Sequence, residues 1–282
     1  MNRLDLEDSF SPRPMRASRN NMTHRSTLFA LGVLALAGCR VPPEAPAEID
    51  DLTTYLYENH NEEDPLVLVA GVDSFVTWLD ENFETLDDKY SITPLSEETV
   101  DSLDAEDRTS EGLIGLAVVT TSDHSVDNAA FANTAVSIEE VYGDQYTDYE
   151  REVVGDVDCF LATDCDRLES DERYTAHFAL GLQSQSHMYN QYVWSEGEAG
   201  HAYIQRNWLV EKPVVNNDLL DVDQQMYLNV LLPRESGGHY RLQATWMIVT
   251  QSGVDPGLAL NLTANSMRGS SEELETWMDE NL

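Results

Sequence analysis

The chain has 282 residues, of which 41% are hydrophobic and 9% aromatic, and its 52 acidic residues against 16 basic ones give a net charge of −36. The apolar fraction is sufficient for a sizeable core and excludes a wholly disordered chain. Because phosphate neutralisation needs Lys and Arg, the charge also excludes nucleic-acid binding through a basic patch.

The N-terminal segment has the pattern of an export signal. Five arginines, all before position 28, precede an apolar run of ten residues from Leu28 to Ala37. This run is too short to span a bilayer, because a spanning helix needs about 20 residues. The run ends in Leu36-Ala37-Gly38-Cys39. This tetrapeptide resembles the lipobox of bacterial lipoproteins, in which a signal peptidase cleaves before a lipidated cysteine. The resemblance implies removal of residues 1–38 and a lipid anchor at Cys39.

A lipoprotein of this type is exported and attached to the cell envelope. In families with a known sorting rule, an Asp after the cysteine retains the protein in the inner membrane. Here Arg40 follows Cys39, so the resemblance implies the outer membrane. Residues 40–48 contain three prolines and predict an extended tether between Cys39 and the folded part.

The region from 49 to 104 has the periodicity of helices. A short helix is predicted around 52–56, and Pro65 suits the first turn of a second helix. A third, shorter helix is predicted over 95–103. In the second helix, apolar residues recur at steps of four and three: Leu68, Val72, Phe75, Leu79, Phe83 and Leu86.

The cysteines that remain after lipidation of Cys39 are Cys159 and Cys165. An even pair in an exported chain predicts a disulfide. A metal site is the weaker alternative, because the sequence has neither a C-x2-C motif nor two histidines at metal-ligand spacing. The sequence therefore predicts no metal and no cofactor.

The second half of the chain changes to a period of two, which is typical of β-strands with one apolar face. Glycines at 197, 200, 237 and 238 indicate short turns, so we expect an antiparallel meander. An apolar run over 113–121 predicts one more strand, whereas the pattern of 122–160 predicts no particular element. The alternating segments are 174–182, 188–194, 202–210, 226–232 and 240–248.

The stretch from Tyr174 to Trp194 contains no Asp, Glu, Lys or Arg, although 24% of the chain is charged. Exposure costs an acid nothing, so this absence indicates that the face is not plain solvent-exposed sheet. Two explanations stay open: the amides pair internally beneath covering elements, or they bind a neutral ligand such as a glycan by hydrogen bonds and ring stacking. The candidate ligand residues have odd numbers and are expected on one face: Gln183, Tyr189, Gln191, Tyr203, Gln205, Asn207 and Tyr227.

Arg206 is predicted on the opposite, apolar face, between Ile204 and Trp208. A guanidinium buried there is costly unless it is paired. Three alternatives follow: a position near a sheet edge where the head reaches water, a structural ion pair, or contact with an anion at a pocket.

The chain ends in a predicted helix that begins at a capping box of Ser270 and Glu273. We therefore expect an α+β fold with N-terminal helices, an antiparallel meander of five to seven strands, and a C-terminal helix packed on the sheet. This order of elements over about 110–282 resembles the helix-grip (START-like) ligand-binding fold. The expected organisation is a signal peptide (1–38), a lipidated cysteine with its tether (39–48), and a single α+β domain (49–282).

The sequence contains none of the motifs G-x-S-x-G, H-E-x-x-H, G-x-x-x-x-G-K-[ST] or G-x-G-x-x-G, so no enzymatic activity is predicted. The main hypothesis is an envelope lipoprotein with a structural or protein-interaction role, whose partner is the membrane through Cys39. The alternative is a small-ligand or glycan-binding module that uses the uncharged face of the sheet.

Overall fold

Helices precede an antiparallel sheet in the computed structural model, which describes residues 43–86, 89–177, 181, 183–216, 221–250 and 256–282. The signal segment, Cys39 and the start of the tether lie outside the described residues. The first elements are α1 (Ile49–Glu58), α2 (Pro65–Asn82), the short strand β1 (Tyr90–Ile92) and α3 (Glu97–Ser102).

Helix α2 begins where the sequence predicts it. Asp64 accepts a hydrogen bond from Leu66 N at 3.2 Å, which caps the helix, and Pro65 occupies the first turn, where a missing N–H costs nothing. Apolar residues at helical spacing, including Val72 and Phe75, are buried. Phe83 lies beyond the end of the helix and is exposed.

The described residues form a nine-stranded sheet in which every pairing is antiparallel. The strand order is β1-β2-β9-β8-β6-β5-β4-β3, with β7 paired to β5 off this path. The meander and the strand predicted at 113–121 are confirmed, but the bounds predicted for the segment 174–182 are wrong, because β4 begins earlier and ends at His177; residues 178–180 and 182 lie outside the described residues. The remaining strands are β2 (Ile114–Ser122), β3 (Tyr146–Val154), β4 (Arg167–His177), β5 (Gln183–Gly197), β6 (Gly200–Leu209), β7 (Val214–Val215), β8 (Asp221–Pro233) and β9 (His239–Thr250).

The segment that the sequence left unassigned contains strand β3 and three short helices, α4 (Val126–Thr134), α5 (Ile138–Tyr142) and α6 (Val157–Leu161). Cys159 in α6 is bonded to Cys165, with their Cα atoms 5.3 Å apart, which confirms the predicted disulfide.

The C-terminal helix α7 spans Pro256–Asn281, so the predicted start at Ser270 is wrong. Ser270 lies inside the helix, where its hydroxyl donates to Met267 O at 2.8 Å instead of capping an N-terminus. The helix packs on the sheet as predicted: Met267 contacts the cluster around Leu116 and Val118 of β2. The predicted α+β class with a C-terminal helix on an antiparallel sheet is confirmed.

The two faces of the sheet are covered by different helices. The helix-pair face packs against α1 and α2, and its core includes Ile204, Leu228 and Trp246. The α7 face packs against α4, α6 and α7, and its core includes Tyr192 and Tyr203. Among the described residues, no helix is long and apolar enough to cross a membrane.

The prediction of one odd-numbered ligand face is wrong, because the β5–β6 hairpin pairs odd with even residues. Gly197 pairs with Gly200, and Gln191 consequently pairs with Arg206. Odd residues of β5 therefore share the helix-pair face with even residues of β6. Tyr203, on an odd position of β6, lies on the α7 face.

Candidate functional site

A groove of about 360 Å³ opens on the helix-pair face, where the residues after α1 and α3 meet strands β4, β5 and β6. Three well-separated parts of the chain form its walls, so only the folded protein contains it. We refer to it as the groove; the residues that line it are Asn61, Ser102, Leu103, Asp104, Asp171, Tyr189, Gln191, Arg206, Trp208 and Val210.

Arg206 forms the most buried charged part of the groove. It is 6% exposed, and β6 lies between β5 and β8, so a position at the sheet edge is excluded. Its Nε donates to Gln191 Oε1 at 2.9 Å and its Nη1 to Tyr57 O at 3.1 Å. The rings of Tyr57 and Trp208 lie 5.5 and 5.7 Å from the guanidinium carbon, within cation–π range.

Arg206 has no carboxylate partner among the residues that the structure describes. No ion pair within the described part of the chain therefore accounts for its burial. Burial lowers the pKa of Arg206 below its ordinary value, and the positive charge of Arg167 acts in the same direction. The guanidinium nevertheless stays protonated, because arginine does not lose its proton in proteins.

Gln191 connects Arg206 to the rest of the groove. Its Oε1 also accepts from Asn61 Nδ2 at 2.9 Å, and its Nε2 donates to Glu169 Oε1 at 2.9 Å. The second oxygen of Glu169 accepts from Tyr189 Oη at 2.7 Å. Burial, followed by this hydrogen bond, raises the pKa of Tyr189 to about 12, so the phenol remains a neutral donor.

Two acidic residues, Asp104 and Asp171, also line the groove. Asp171 accepts from His187 Nε2 at 2.8 Å and lies 3.2 Å from Arg173 Nη1. Asp104 is exposed, and its backbone carbonyl accepts from Trp208 Nε1 at 3.2 Å. The groove thus combines a buried cation, Arg206, with an exposed acid, Asp104, and a second acid, Asp171, that is paired with Arg173.

The end of α1 is held against the sheet by hydrogen bonds, which fixes the position of Asn61. Arg167 Nη1 donates to His60 O at 3.1 Å and to Asn61 Oδ1 at 3.2 Å. The ring of His60 is fully buried, with Nε2 3.3 Å from Ile204 O. Burial lowers the pKa of His60 to about 3, so the ring is neutral under ordinary conditions.

The other predicted ligand residues lie outside the groove. Gln183 is exposed, on the same strand as Tyr189. Tyr203 is buried on the α7 face, and Gln205, Asn207 and Tyr227 are half-buried there.

Internal pairing of amides accounts for much of the polar surface on the α7 face. Gln205 Nε2 donates to Asn190 Oδ1 at 3.1 Å, and Arg241 Nε donates to Asn229 Oδ1 at 3.0 Å. These residues belong to four neighbouring strands, so a polar row crosses the sheet beneath α7. Internal pairing therefore accounts for part of this face, whereas Asn190 Nδ2, Tyr203 Oη and Asn207 Oδ1 are buried without a hydrogen-bond partner among the described residues. Of the predicted site residues, only Tyr189, Gln191 and Arg206 line the groove.

Sequence reasoning missed Asn61, Asp104 and Asp171 as groove residues and treated Trp208 only as core. Asn61 and Asp104 follow helices far from β5 in sequence, so no local pattern connects them to the site. Over the described ranges, no group of three or more His, Cys, Asp or Glu residues is arranged to hold a metal ion.

Comparisons with known proteins add similarities of structure only. No family model and no curated protein matches the chain. The solved structures similar to it include Ara h 8.0201, with 11% identity and a TM-score of 0.38, covering 60% of this chain and 100% of that one. A START superfamily protein from Mycobacterium smegmatis has 7% identity and a TM-score of 0.38, covering 60% of this chain and 99% of that one. No assignment of function to this chain rests on these similarities.

Proposed function

We propose that this protein is a binding module for a small polar ligand, which it holds in the groove. The observation that carries the proposal is a concave site with a buried guanidinium, Arg206, that has no carboxylate partner among the described residues. Small-molecule sites are typically concave, with a few polar groups that fix the orientation of the ligand.

The polar groups of the groove are held in place before any ligand arrives. Gln191 is fixed by Asn61, Glu169 and Arg206, and Tyr189 is fixed by Glu169. Preorganisation of this kind supports binding, because side chains that are already ordered lose little conformational entropy when a ligand binds. Amide and phenol groups of this type suit a glycan or another polar compound of similar size.

Ligand screening by thermal unfolding of the purified full chain tests the proposal. The panel contains mono- and disaccharides, nucleosides, amino acids and dipeptides. A compound present at 100 times its Kd is expected to stabilise the protein by about 2.7 kcal/mol. The groove variants Asn61→Ala and Gln191→Ala should lose this stabilisation, whereas Gln183→Ala, altered on the same strand outside the groove, should keep it.

Two results would overturn the proposal. One is a panel in which no compound shifts the unfolding temperature of the wild type. The other is a shift that persists undiminished in both groove variants. Asn61 is exposed, so Asn61→Ala is expected to fold even where Gln191→Ala is destabilised.

We also propose that the module is anchored to the cell envelope, at the outer membrane, through lipid on Cys39. The support for this proposal is the sequence Leu36-Ala37-Gly38-Cys39 after a short apolar run. The prolines between Cys39 and α1 would then separate the groove from the membrane surface. If no ligand binds, a structural or protein-interaction role for an anchored lipoprotein is the function that remains. No catalytic step is proposed for the groove.

A further inference from the structure

No carboxylate among the described residues pairs with the charge of Arg206, which lines the groove. Its two hydrogen bonds go to neutral acceptors, the amide oxygen of Gln191 and the carbonyl oxygen of Tyr57. Its Nη2 has no hydrogen-bond partner among the described residues. A guanidinium has five N–H donors in a planar fork that matches a carboxylate, so the site retains capacity for an anionic group.

The nearest acid, Glu169, does not neutralise Arg206 directly. Its two oxygens accept from Gln191 Nε2 at 2.9 Å and from Tyr189 Oη at 2.7 Å. Gln191 therefore stands between the carboxylate and the guanidinium and bonds to both. Although the chain has 52 acidic residues, the residue beside Arg206 is the amide Gln191, so the guanidinium has no direct carboxylate partner among the described residues.

The entrance of the groove has the opposite charge. Asp104 is exposed there and is held through its backbone carbonyl by Trp208. Asp171 also lines the groove, but its charge is paired with Arg173 Nη1 at 3.2 Å, so Asp104 is the acid that a ligand cation would meet. With a net charge of −36, the protein also repels a ligand that is only anionic. A ligand with both signs of charge avoids this repulsion while still presenting an anionic group to Arg206.

We propose that the ligand is a zwitterion of the size of an amino acid or dipeptide, with its carboxylate on Arg206 and its ammonium group toward Asp104. This inference rests on the proposed function and specifies the class of ligand for the same groove. The volume of about 360 Å³ is at the small end of small-molecule sites, which span roughly 300–1,000 Å³. Tyr189 and Gln191 would flank the ligand between the two charged ends.

Four pools of compounds test the inference with the purified full chain. The first contains the twenty amino acids together with dipeptides of the same residues. In the second the amines are acetylated, in the third the carboxylates are amidated, and the fourth carries both modifications. Thermal unfolding detects binding, and isothermal titration of the compound responsible measures its Kd.

The zwitterionic pool is expected to raise the unfolding temperature most. Loss of the carboxylate, or the variant Arg206→Met, should weaken binding about 10- to 100-fold, the range typical of a lost charged hydrogen bond. Asp104→Asn should weaken binding of the zwitterion but leave binding of its acetylated form unchanged. Gln183→Ala is the matched control and should bind like the wild type.

The inference is overturned if the zwitterionic pool gives no shift, or if the pool with both modifications binds equally well. If saccharides bind in the groove and the zwitterions do not, this inference fails while the proposed function stands. If neither binds, both fail. Circular dichroism of Arg206→Met distinguishes lost binding from lost folding, and Asp104→Asn, altered at an exposed position, provides a test that does not depend on a core substitution.

Discussion

Gln191 and Arg206 are cross-strand partners on β5 and β6, and the amide oxygen of Gln191 accepts from Arg206 Nε at 2.9 Å. This pair holds the buried guanidinium in place without cancelling its charge. The groove therefore presents a positive group at its floor, a feature that the overall composition of the protein does not suggest.

Removal of the acceptor should destabilise the protein. In Gln191→Leu, Arg206 keeps Tyr57 O but loses its other hydrogen bond, so a buried charge is less well satisfied. We expect the free energy of unfolding to fall by about 1–3 kcal/mol. Urea unfolding of this variant beside Gln183→Leu measures the effect, and the exposed control should change by no more than about 0.5 kcal/mol. Equal midpoints for the two variants would show that the hydrogen bond contributes nothing.

The buried ion pair of Arg151 and Glu172 should contribute more to the free energy of unfolding than the hydrogen bond between Gln191 and Arg206. Their Nε and Oε1 atoms are 2.8 Å apart, and Arg151 also donates to Thr134 O at 2.6 Å at the end of α4. Because Glu172→Gln leaves a buried cation unpaired, we expect a loss of roughly 3–5 kcal/mol of unfolding free energy. Lys212→Gln, which breaks the exposed pair with Asp223, should cost about 1 kcal/mol or less. A loss for Glu172→Gln no larger than that of the control contradicts a structural role for the buried pair.

Two buried histidines predict a loss of stability in mild acid. Burial lowers the pKa of His60 to about 3 and that of His239 to about 4, from an ordinary value of 6.5. Below pH 6.5 the unfolded chain binds protons that the folded chain excludes, so the free energy of unfolding falls as pH falls toward these values. Each histidine contributes up to about 1.4 kcal/mol per pH unit.

The difference between wild type and His60→Gln isolates this effect from the titration of the carboxylates. Urea unfolding at about pH 7, 6 and 5 should show a smaller decrease for the variant than for the wild type. Parallel decreases in the two proteins would show that His60 takes up a proton equally well in the folded and unfolded states.

The anchor at Cys39 predicts incorporation of lipid. Expression of the full chain in a bacterial host with labelled palmitate should label the wild type and not Cys39→Ser. Cys159→Ser, which removes a cysteine of the disulfide, is the matched control and should remain labelled. Label on the Cys39→Ser variant at the level of the wild type would remove the basis for the anchor.

The strands of the meander were predictable because apolar and polar residues alternate strongly along them. Which residues of different strands share a face of the sheet was not predictable. Alternation separates the residues of one strand into two faces. The length of the turn sets the pairing register, which decides which residues of the next strand lie on the same face. The β5–β6 turn leaves only Glu198 and Ala199 between the paired Gly197 and Gly200, so odd residues of β5 lie beside even residues of β6. With one more residue in that turn, odd residues of β5 would pair with odd residues of β6, as predicted from the sequence.

The prediction missed residues 256–269 of α7, which contain two glycines. Gly257 and Gly269 lower its intrinsic helical propensity, and the helix is held by contacts of Ala264 and Met267 with β2. The groove was predictable only in part. Arg206 is recognisable as a charge within an apolar strand, but Asn61 and Asp104 reach it through tertiary packing.

The most direct test of ligand binding in the groove follows the indole N–H signals of the full chain by two-dimensional NMR. Trp208 Nε1 donates to Asp104 O at the wall of the groove, whereas Trp277 packs on the α7 face. Trp208→Phe and Trp277→Phe assign the two signals. Titration with the zwitterionic amino acids and dipeptides should shift the Trp208 signal in a saturable way and leave that of Trp277 unchanged. A Trp208 signal that does not move at saturating concentrations of any compound in the ligand panel would contradict the account.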